Sequence, residues 1–162
     1  MNSRGRFSTV QKGGIMRKKK LLISNCLLGI PCRYDGSCKK MDRLEELDDK
    51  YNLIGVCPEE LGGLETPREP AEIFLGRVLT KSGRDVTYEY DYGADVTLSI
   101  AKGHAVTMAL MQDRSPSCGC GLIHNGKFDG GLIEGDGVAV KLLKANGIRV
   151  IPASEAEKLL EE

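Results

Sequence analysis

The stretch LLISNC at residues 21–26 decides the predicted fold, because it is a short apolar run that stops at polar turn residues. Such a run is typical of a strand in a parallel sheet that is covered on both faces. A second run, LIGVC at 53–57, follows a charged segment at 38–50 whose apolar residues recur at steps of three, as on a helix face. Together the three segments predict a right-handed βαβ unit.

The remainder of the chain extends this unit. Residues 106–111 and 148–151 predict a third and a fourth buried strand, and helices are expected at 91–102, around 138–147 and from about Ser154. A β-hairpin is expected between 78–80 and 86–90, with its turn at 81–84. The order predicts a three-layer α/β single domain with a mainly parallel sheet of about four strands plus an inserted β-hairpin.

Charge divides the chain unevenly, although its formal net charge is zero. Seven of the 23 basic residues and no acidic residue lie in the first 20 positions, which leaves 16 basic against 23 acidic residues afterwards, a net charge of −7. Because Met16 precedes four basic residues, we interpret residues 1–19 as a disordered or expression-derived basic extension and residues 20–162 as the folded domain. The acidic domain argues against nucleic acid as a partner.

No apolar run has the length of a membrane span, so no membrane partner and a cytoplasmic location are expected. A chain of 162 residues needs no disulfide framework to fold. Its six cysteines therefore need another explanation, because disulfides are rare in cytosolic proteins.

Three cysteines follow predicted strands. Cys26 ends the first, Cys57 ends the second and Cys118 comes just after the third, so we expect them to converge at the carboxyl edge of the sheet, where open parallel sheets bind ligands. The alternative is that the cysteines act as small buried hydrophobes, which is favoured for Cys38 and Cys120. Structural zinc sites show close pairs such as C-x2-C, and none is present. Iron-sulfur clusters do not require such pairs, and three thiolates on four irons leave one iron open.

Four motifs then resemble the thiouracil desulfidase family over about residues 20–155. They are SNCLLGIPCRYDG at 24–36, VCPE at 56–59, GGL with PR within 62–68, and SPSCG at 115–119. The resemblance implies a [4Fe-4S] cluster with three protein ligands, Cys26, Cys57 and Cys118. It also implies that Glu59 is the acid/base carboxylate and Ser115 the catalytic serine.

The implied reaction is a non-redox desulfidation of a small thiolated nucleobase, 2-thiouracil or 4-thiouracil, to uracil and hydrosulfide. The open iron is expected to bind the substrate sulfur, while Glu59 activates water and Ser115 orients it. Arg33, Asp35 and Arg68 are candidate substrate-binding residues, and Cys32 remains open as a further ligand or a sulfur acceptor. Neither the preferred base nor the oligomeric state follows from the sequence.

Other interpretations stay open at this point. The chain could be a non-catalytic iron-sulfur or zinc module, a desulfidase of thiolated tRNA, or a persulfide sulfurtransferase that uses Cys32 or Cys120. Without the resemblance, Glu59 also fits a solvated loop carboxylate, and Ser115 fits a turn or capping hydroxyl. His124 stands where the family usually has Tyr, and we expect a surface or capping histidine there.

Overall fold

The computed structural model describes residues 17–162. In chain order its elements are β1 (Lys19–Ser24), α1 (Leu44–Lys50), β2 (Tyr51–Val56), α2 (Pro58–Leu61), β3 (Ala71–Phe74), β4 (Arg77–Thr80), α3 (Thr87–Gly103), β5 (Met108–Met111), β6 (Leu122–His124), β7 (Leu132–Glu134), α4 (Val138–Ala145), β8 (Arg149–Pro152) and α5 (Glu157–Glu161). Short 3-10 turns occupy Asn25–Leu28 and Ala153–Glu155.

The central sheet has four strands in the order β2-β1-β5-β8, and every neighbouring pair is parallel. Leu21 and Ile23 of β1 pack in one apolar cluster with α1 and α5, whereas Leu22 packs in a second cluster with α3 and α4. Both faces of β1 are therefore covered, which explains its continuous apolar run. The predicted three-layer α/β architecture is confirmed.

The inserted hairpin exists, and its predicted pairing is present in part. Across the predicted turn at 81–84, the Val86 N–H donates to the Val78 carbonyl at 2.8 Å, and Leu79 and Asp85 form an isolated antiparallel bridge.

The longer pairing of this hairpin was not expected. β3 pairs with β4 around a turn at Leu75 and Gly76, whose φ angles are 49° and 79°. From Thr87 onward, the residues expected to continue the second strand belong to α3 instead. Val86 and Tyr90 are buried four residues apart, which is the spacing of a helix face, so helical packing overrides the alternation of apolar and polar residues there.

Two further differences concern segments near the site. The helix expected at 38–50 is shorter, because Lys39 and Met41 donate backbone hydrogen bonds to Cys26 and Leu27 and so follow the turn after β1. A second small hairpin, formed by β6 and β7, lies in a glycine-rich segment for which no strand was expected. Both hairpins lie outside the central sheet.

The boundary of the basic extension is a prediction about residues that lie mostly outside the described range. Within that range, Lys19 already pairs with Tyr51 as the first residue of β1. No helix of residues 17–162 is long and apolar enough to cross a membrane.

Candidate functional site

A cavity of about 380 Å³ opens at the carboxyl edge of the parallel sheet. Four cysteine side chains line it, those of Cys26, Cys32, Cys57 and Cys118, and all four are buried. The other two cysteines lie elsewhere. Cys38 is exposed, contrary to the expectation of a buried thiol, and Cys120 is half-buried against the apolar cluster between the sheet and α3 and α4.

The sheet topology brings the cysteines together. Cys26 lies in the 3-10 turn after β1, Cys57 immediately follows β2, and Cys118 lies in the turn after β5. Because β2, β1 and β5 are adjacent and parallel, these three positions fall at one edge. The convergence expected from the strand ends is therefore present in the structure.

The turn that carries Cys118 is anchored to helix α4. The backbone N–H groups of Val138 and Ala139 donate to the carbonyls of Pro116 and Ser117, at 2.8 and 3.1 Å. Unpaired N–H groups at a helix start need such acceptors. A Cβ at Gly137 would lie 2.5 Å from the Ser117 carbonyl oxygen, so the helix approaches this turn as closely as glycine allows.

Ser115 stabilises the same turn. Its hydroxyl oxygen accepts a hydrogen bond from the Cys118 backbone N–H at 2.7 Å. It also lies 3.4 Å from the hydroxyl of Ser117. The turn role that the sequence left open for Ser115 is thus present, and Ser115 also lines the cavity. Because the Ser117 hydroxyl donates to Glu59, Ser115 is the donor in the long contact with Ser117.

The cavity thiols interact with one another. The hydrogen bond between Cys32 and Cys26 raises the pKa of Cys32 to about 12. The hydrogen bond from Cys32, together with burial, raises the pKa of Cys57. Burial raises the pKa of Cys118 to about 12. The raised pKa values favour the protonated thiols. A cation bound among them favours the thiolates instead, since coordination to a metal deprotonates a thiol.

The donor set fits an iron-sulfur cluster better than a single ion. Within residues 17–162 no three His, Cys, Asp or Glu side chains are placed to hold one metal ion. A cluster makes a different demand, because each thiolate binds a separate iron and the ligands need not meet at a point. Four soft sulfur donors around one buried cavity satisfy that demand.

Glu59 lies on α2, two residues after Cys57, and is buried in a charged network. Its Oε1 accepts from Arg68 Nε at 2.9 Å, and its Oε2 accepts from the Ser117 hydroxyl at 2.7 Å. Only 9% of the Arg68 side chain and 11% of the Glu59 side chain are exposed. The solvated loop carboxylate is therefore excluded for Glu59.

Arg68 ties Glu59 to the loop that carries Cys32. Its Nη2 donates to the Cys32 carbonyl at 2.8 Å, and its backbone N–H donates to Tyr34 at 2.7 Å. Burial by itself lowers the pKa of Arg68, but the charge and the hydrogen bond of Glu59 outweigh it and raise that pKa above its usual value. The guanidinium therefore remains a cation beside Glu59.

Glycine packing holds Glu59 in position. A Cβ on Gly93 of α3 would overlap the carbonyl oxygen of Pro58, and a Cβ on Gly62 would overlap that of Glu89. Because neither residue has a side chain, α2 packs directly on the backbone of α3. This contact fixes the helical turn that presents Glu59 to the cavity.

Two residues at the site carried no predicted role. Ser117 is 2% exposed and is the direct hydroxyl partner of Glu59, whereas the sequence pointed to Ser115. Tyr90 lines the cavity, and burial followed by the charge of Glu59 raises its pKa well above the usual value. Ser117 lies within a quoted motif, but its contact with Glu59 spans 58 residues and leaves no local signal.

The remaining candidates divide into two groups. Arg33 lines the cavity, as do Arg68 and Gln112. Asp35 does not line it, because its carboxylate accepts from the backbone N–H and hydroxyl of Ser37 at the surface. His124 also lines the cavity and is half-buried, with Nδ1 enclosed and without a hydrogen-bond partner among residues 17–162, so the expectation of a surface or capping residue is wrong there.

Known proteins are similar to this chain in sequence and in fold. The family model described as 2-thiouracil desulfurase matches residues 21–155. The uncharacterized protein YbbK of Bacillus subtilis (strain 168) is 43% identical over 150 residues, covering 86% of this chain and 99% of its own length. The solved structure of the [4Fe-4S]-dependent thiouracil desulfidase TudS superposes with a TM-score of 0.83 at 42% identity, covering 88% of this chain and 95% of that one. The chain belongs to the 2-thiouracil desulfurase family, a family of enzymes.

Proposed function

We propose that this enzyme removes sulfur from a small thiolated pyrimidine, 2-thiouracil or 4-thiouracil, and that Cys26, Cys57 and Cys118 hold a [4Fe-4S] cluster for the purpose. The observation that carries the proposal is the convergence of buried thiols and the Glu59 carboxylate on one cavity. The [4Fe-4S] dependence of the structurally similar TudS supports the choice of cofactor. When bound, such a cluster supplies an iron with an open position and an affinity for soft sulfur.

The overall reaction replaces sulfur by oxygen without a change of oxidation state. Water adds its oxygen to the ring carbon of the C=S group, the carbon–sulfur bond breaks, and hydrosulfide leaves with one of the water's protons. The other proton passes through the protein to solvent. The reaction therefore requires no nicotinamide or flavin.

Glu59 is the proposed proton acceptor for the attacking water. Arg68 and Ser117 each bind one of its carboxylate oxygens, so the group has a single fixed orientation. A carboxylate with a fixed orientation lowers the entropic cost of bringing the base and the water into the reactive geometry. The Ser117 hydroxyl lies between Glu59 and Ser115 and offers a path for the proton toward the cavity.

Ser115 and Arg33 are the proposed substrate contacts. The oxygen of Ser115 is fixed by the Cys118 backbone, and its proton donates to water or to the pyrimidine in place of its long 3.4 Å contact with Ser117. Arg33 lines the cavity and offers donors to a pyrimidine carbonyl. Arg68 is assigned to Glu59 rather than to substrate, because its donors are taken by protein acceptors.

The cavity suits a free base or a similarly small molecule. Its volume of about 380 Å³ lies at the lower end of the range of small-molecule sites, about 300–1,000 Å³.

The proposed location of the enzyme is the cytoplasm. Its six cysteines are all free thiols, which fits a reducing compartment.

The test is anaerobic reconstitution with iron and sulfide, followed by an assay of uracil and hydrosulfide produced from each thiouracil. We expect Glu59→Gln to keep the cluster absorbance and to lose turnover by roughly 10²–10⁴-fold, the usual contribution of a general base. Full turnover in iron-free protein contradicts the proposed function. Bound cluster without turnover in the unmodified protein supports a non-catalytic module instead.

A further inference from the structure

Glu72 is a buried carboxylate in the cavity that the proposed reaction does not use. It lies on β3, lines the cavity and is 8% exposed. Burying a carboxylate is costly unless its oxygens are hydrogen-bonded, so both oxygens of Glu72 require partners.

The protein itself binds one oxygen of Glu72. Oε1 accepts from the backbone N–H groups of Gly126 and Phe128, at 2.9 and 3.1 Å. Both N–H groups belong to the loop between β6 and β7, and Phe128 also lines the cavity. A Cβ at Gly126 would lie 2.5 Å from the Ile73 carbonyl oxygen, so the loop approaches β3 as closely as glycine allows. The carboxyl group of Glu72 therefore has a fixed orientation.

The other oxygen of Glu72 has no partner in the described part of the chain. Among residues 17–162, Oε1 alone accepts the hydrogen bonds made to this side chain. Oε2 is also not enclosed, since in the same range only His124 Nδ1 is a fully buried side-chain polar atom without a partner. Because Glu72 is nearly buried and lines the cavity, the space that Oε2 faces is the cavity. A ligand that brings a hydrogen-bond donor satisfies this oxygen.

The thiolated pyrimidines of the proposed reaction carry such a donor. In both 2-thiouracil and 4-thiouracil, the ring N3–H group is next to the C=S group. The N1–H group is next to the C=S group in 2-thiouracil only. An acceptor that binds N3–H therefore orients the C=S group of either base.

We propose, resting on the function proposed above, that Glu72 is a substrate-binding residue whose Oε2 accepts a hydrogen bond from the N3–H group of the thiolated base. Oε1 stays bound to the loop backbone, so the acceptor is oriented before the base enters, which lowers the cost of binding. The contact selects pyrimidines that carry a hydrogen on N3. A base with an alkyl group or a lone pair at N3 leaves Oε2 buried and unpaired, and such a site discriminates strongly against it.

The first test compares two substrates of equal size, 1-methyl-4-thiouracil and 3-methyl-4-thiouracil, with the anaerobically reconstituted enzyme. The first compound keeps the N3–H group and the second lacks it. We expect kcat/KM to be roughly 10–100-fold lower for the 3-methyl compound, the effect of losing one hydrogen bond to a charged group.

The variant Glu72→Gln separates substrate binding from loop anchoring. Its amide oxygen can still accept from the two loop N–H groups, whereas its NH₂ group takes the place of Oε2 and faces the N3–H group donor to donor. We expect this variant to keep its fold and its cluster content and to raise KM for 4-thiouracil by roughly 10–100-fold, with a much smaller change in kcat. The matched control is Glu69→Gln, because Glu69 is exposed, accepts from Ser82 and lies outside the cavity. The control should keep the KM of the unmodified enzyme.

Two results overturn the inference. Equal kcat/KM values for the two methylated compounds show that the enzyme does not bind the N3–H group. An unchanged KM in Glu72→Gln, with its fold checked by circular dichroism, shows that Glu72 only anchors the loop. If that variant does not fold, the two methylated compounds still test the contact in the unmodified enzyme. Absence of both cluster and turnover of 4-thiouracil from the unmodified protein contradicts the proposed function itself, which separates the two failures.

Discussion

Replacing Arg68 by Leu should strongly destabilise the fold, because it leaves the Glu59 carboxylate buried without its cation. The pair is separated by 2.9 Å, and both side chains are about one-tenth exposed. Removal of one partner from a buried ion pair costs about 3–5 kcal/mol. Arg68 also donates to the carbonyls of Cys32 and Glu65, so we expect the upper part of that range.

The assay is equilibrium urea unfolding of cluster-free protein under reducing conditions, with thermal unfolding alongside. At about 2–4 °C per kcal/mol for a domain of this size, a loss of about 4–5 kcal/mol should lower the thermal midpoint by roughly 8–20 °C. The matched control is Arg84→Leu, which breaks the 3.4 Å pair with Glu89 at a site where the arginine is 64% exposed. Such a surface pair should cost at most about 1 kcal/mol.

A double-mutant cycle separates the charge from the packing. Adding Glu59→Gln to Arg68→Leu removes the isolated buried charge, so the double variant should be more stable than the sum of the two single changes predicts, by about 1–3 kcal/mol. The reasoning is refuted if Arg68→Leu costs no more than Arg84→Leu. It is also refuted if the two changes at the pair are additive.

Three further predictions concern the same region and the hairpin beside it. Gly93→Ala should destabilise the protein by about 1–3 kcal/mol and lower turnover, because the added methyl group pushes α2 and Glu59 away from α3. Urea unfolding measures the loss of stability, and the desulfidation assay measures turnover. Unchanged values in both assays contradict the packing argument. Ser117→Ala should lower kcat while cluster content stays constant, since Glu59 loses a 2.7 Å hydrogen bond; an unchanged kcat removes Ser117 from the reaction. Asp85 has a pKa lowered to about 2 by hydrogen bonds from Thr87 and by Arg77. It therefore stabilises the fold above about pH 4 and loses this effect as the pH falls toward 2, so Asp85→Asn should be less stable at pH 6 with a gap that narrows below pH 4. A gap that is constant from pH 6 to pH 2 in urea unfolding would count against this pairing.

Strand positions were predictable because burial on both faces leaves a strong pattern. The apolar runs before Cys26 and Cys57 located β1 and β2, and the rule for parallel strands then placed their ends at one edge. The prediction failed where two periodicities coincided. Residues 86–90 alternate between apolar and polar as in a strand, but Val86 and Tyr90 also have the spacing of a helix face. Burial of both side chains favours the helix over the strand.

The finer geometry of the site could not be predicted from local patterns. Ser117 contacts Glu59 across 58 residues of chain, and α2 packs on α3 at Gly93. Neither contact corresponds to a regular spacing of residues in the sequence, so no local pattern predicts it. Asp35 illustrates the opposite error. It lies in the same motif as Arg33, yet its carboxylate accepts from Ser37 and does not line the cavity.

The most direct test of the proposed cluster site is iron and sulfide quantification in anaerobically reconstituted variants, read together with hydrosulfide release from thiouracil. Cys26→Ala, Cys57→Ala and Cys118→Ala should each lose the brown cluster absorbance and the activity, whereas Cys38→Ala, at an exposed thiol outside the cavity, should keep both. Full cluster content and full activity in any one of the first three variants would contradict the proposed ligand set.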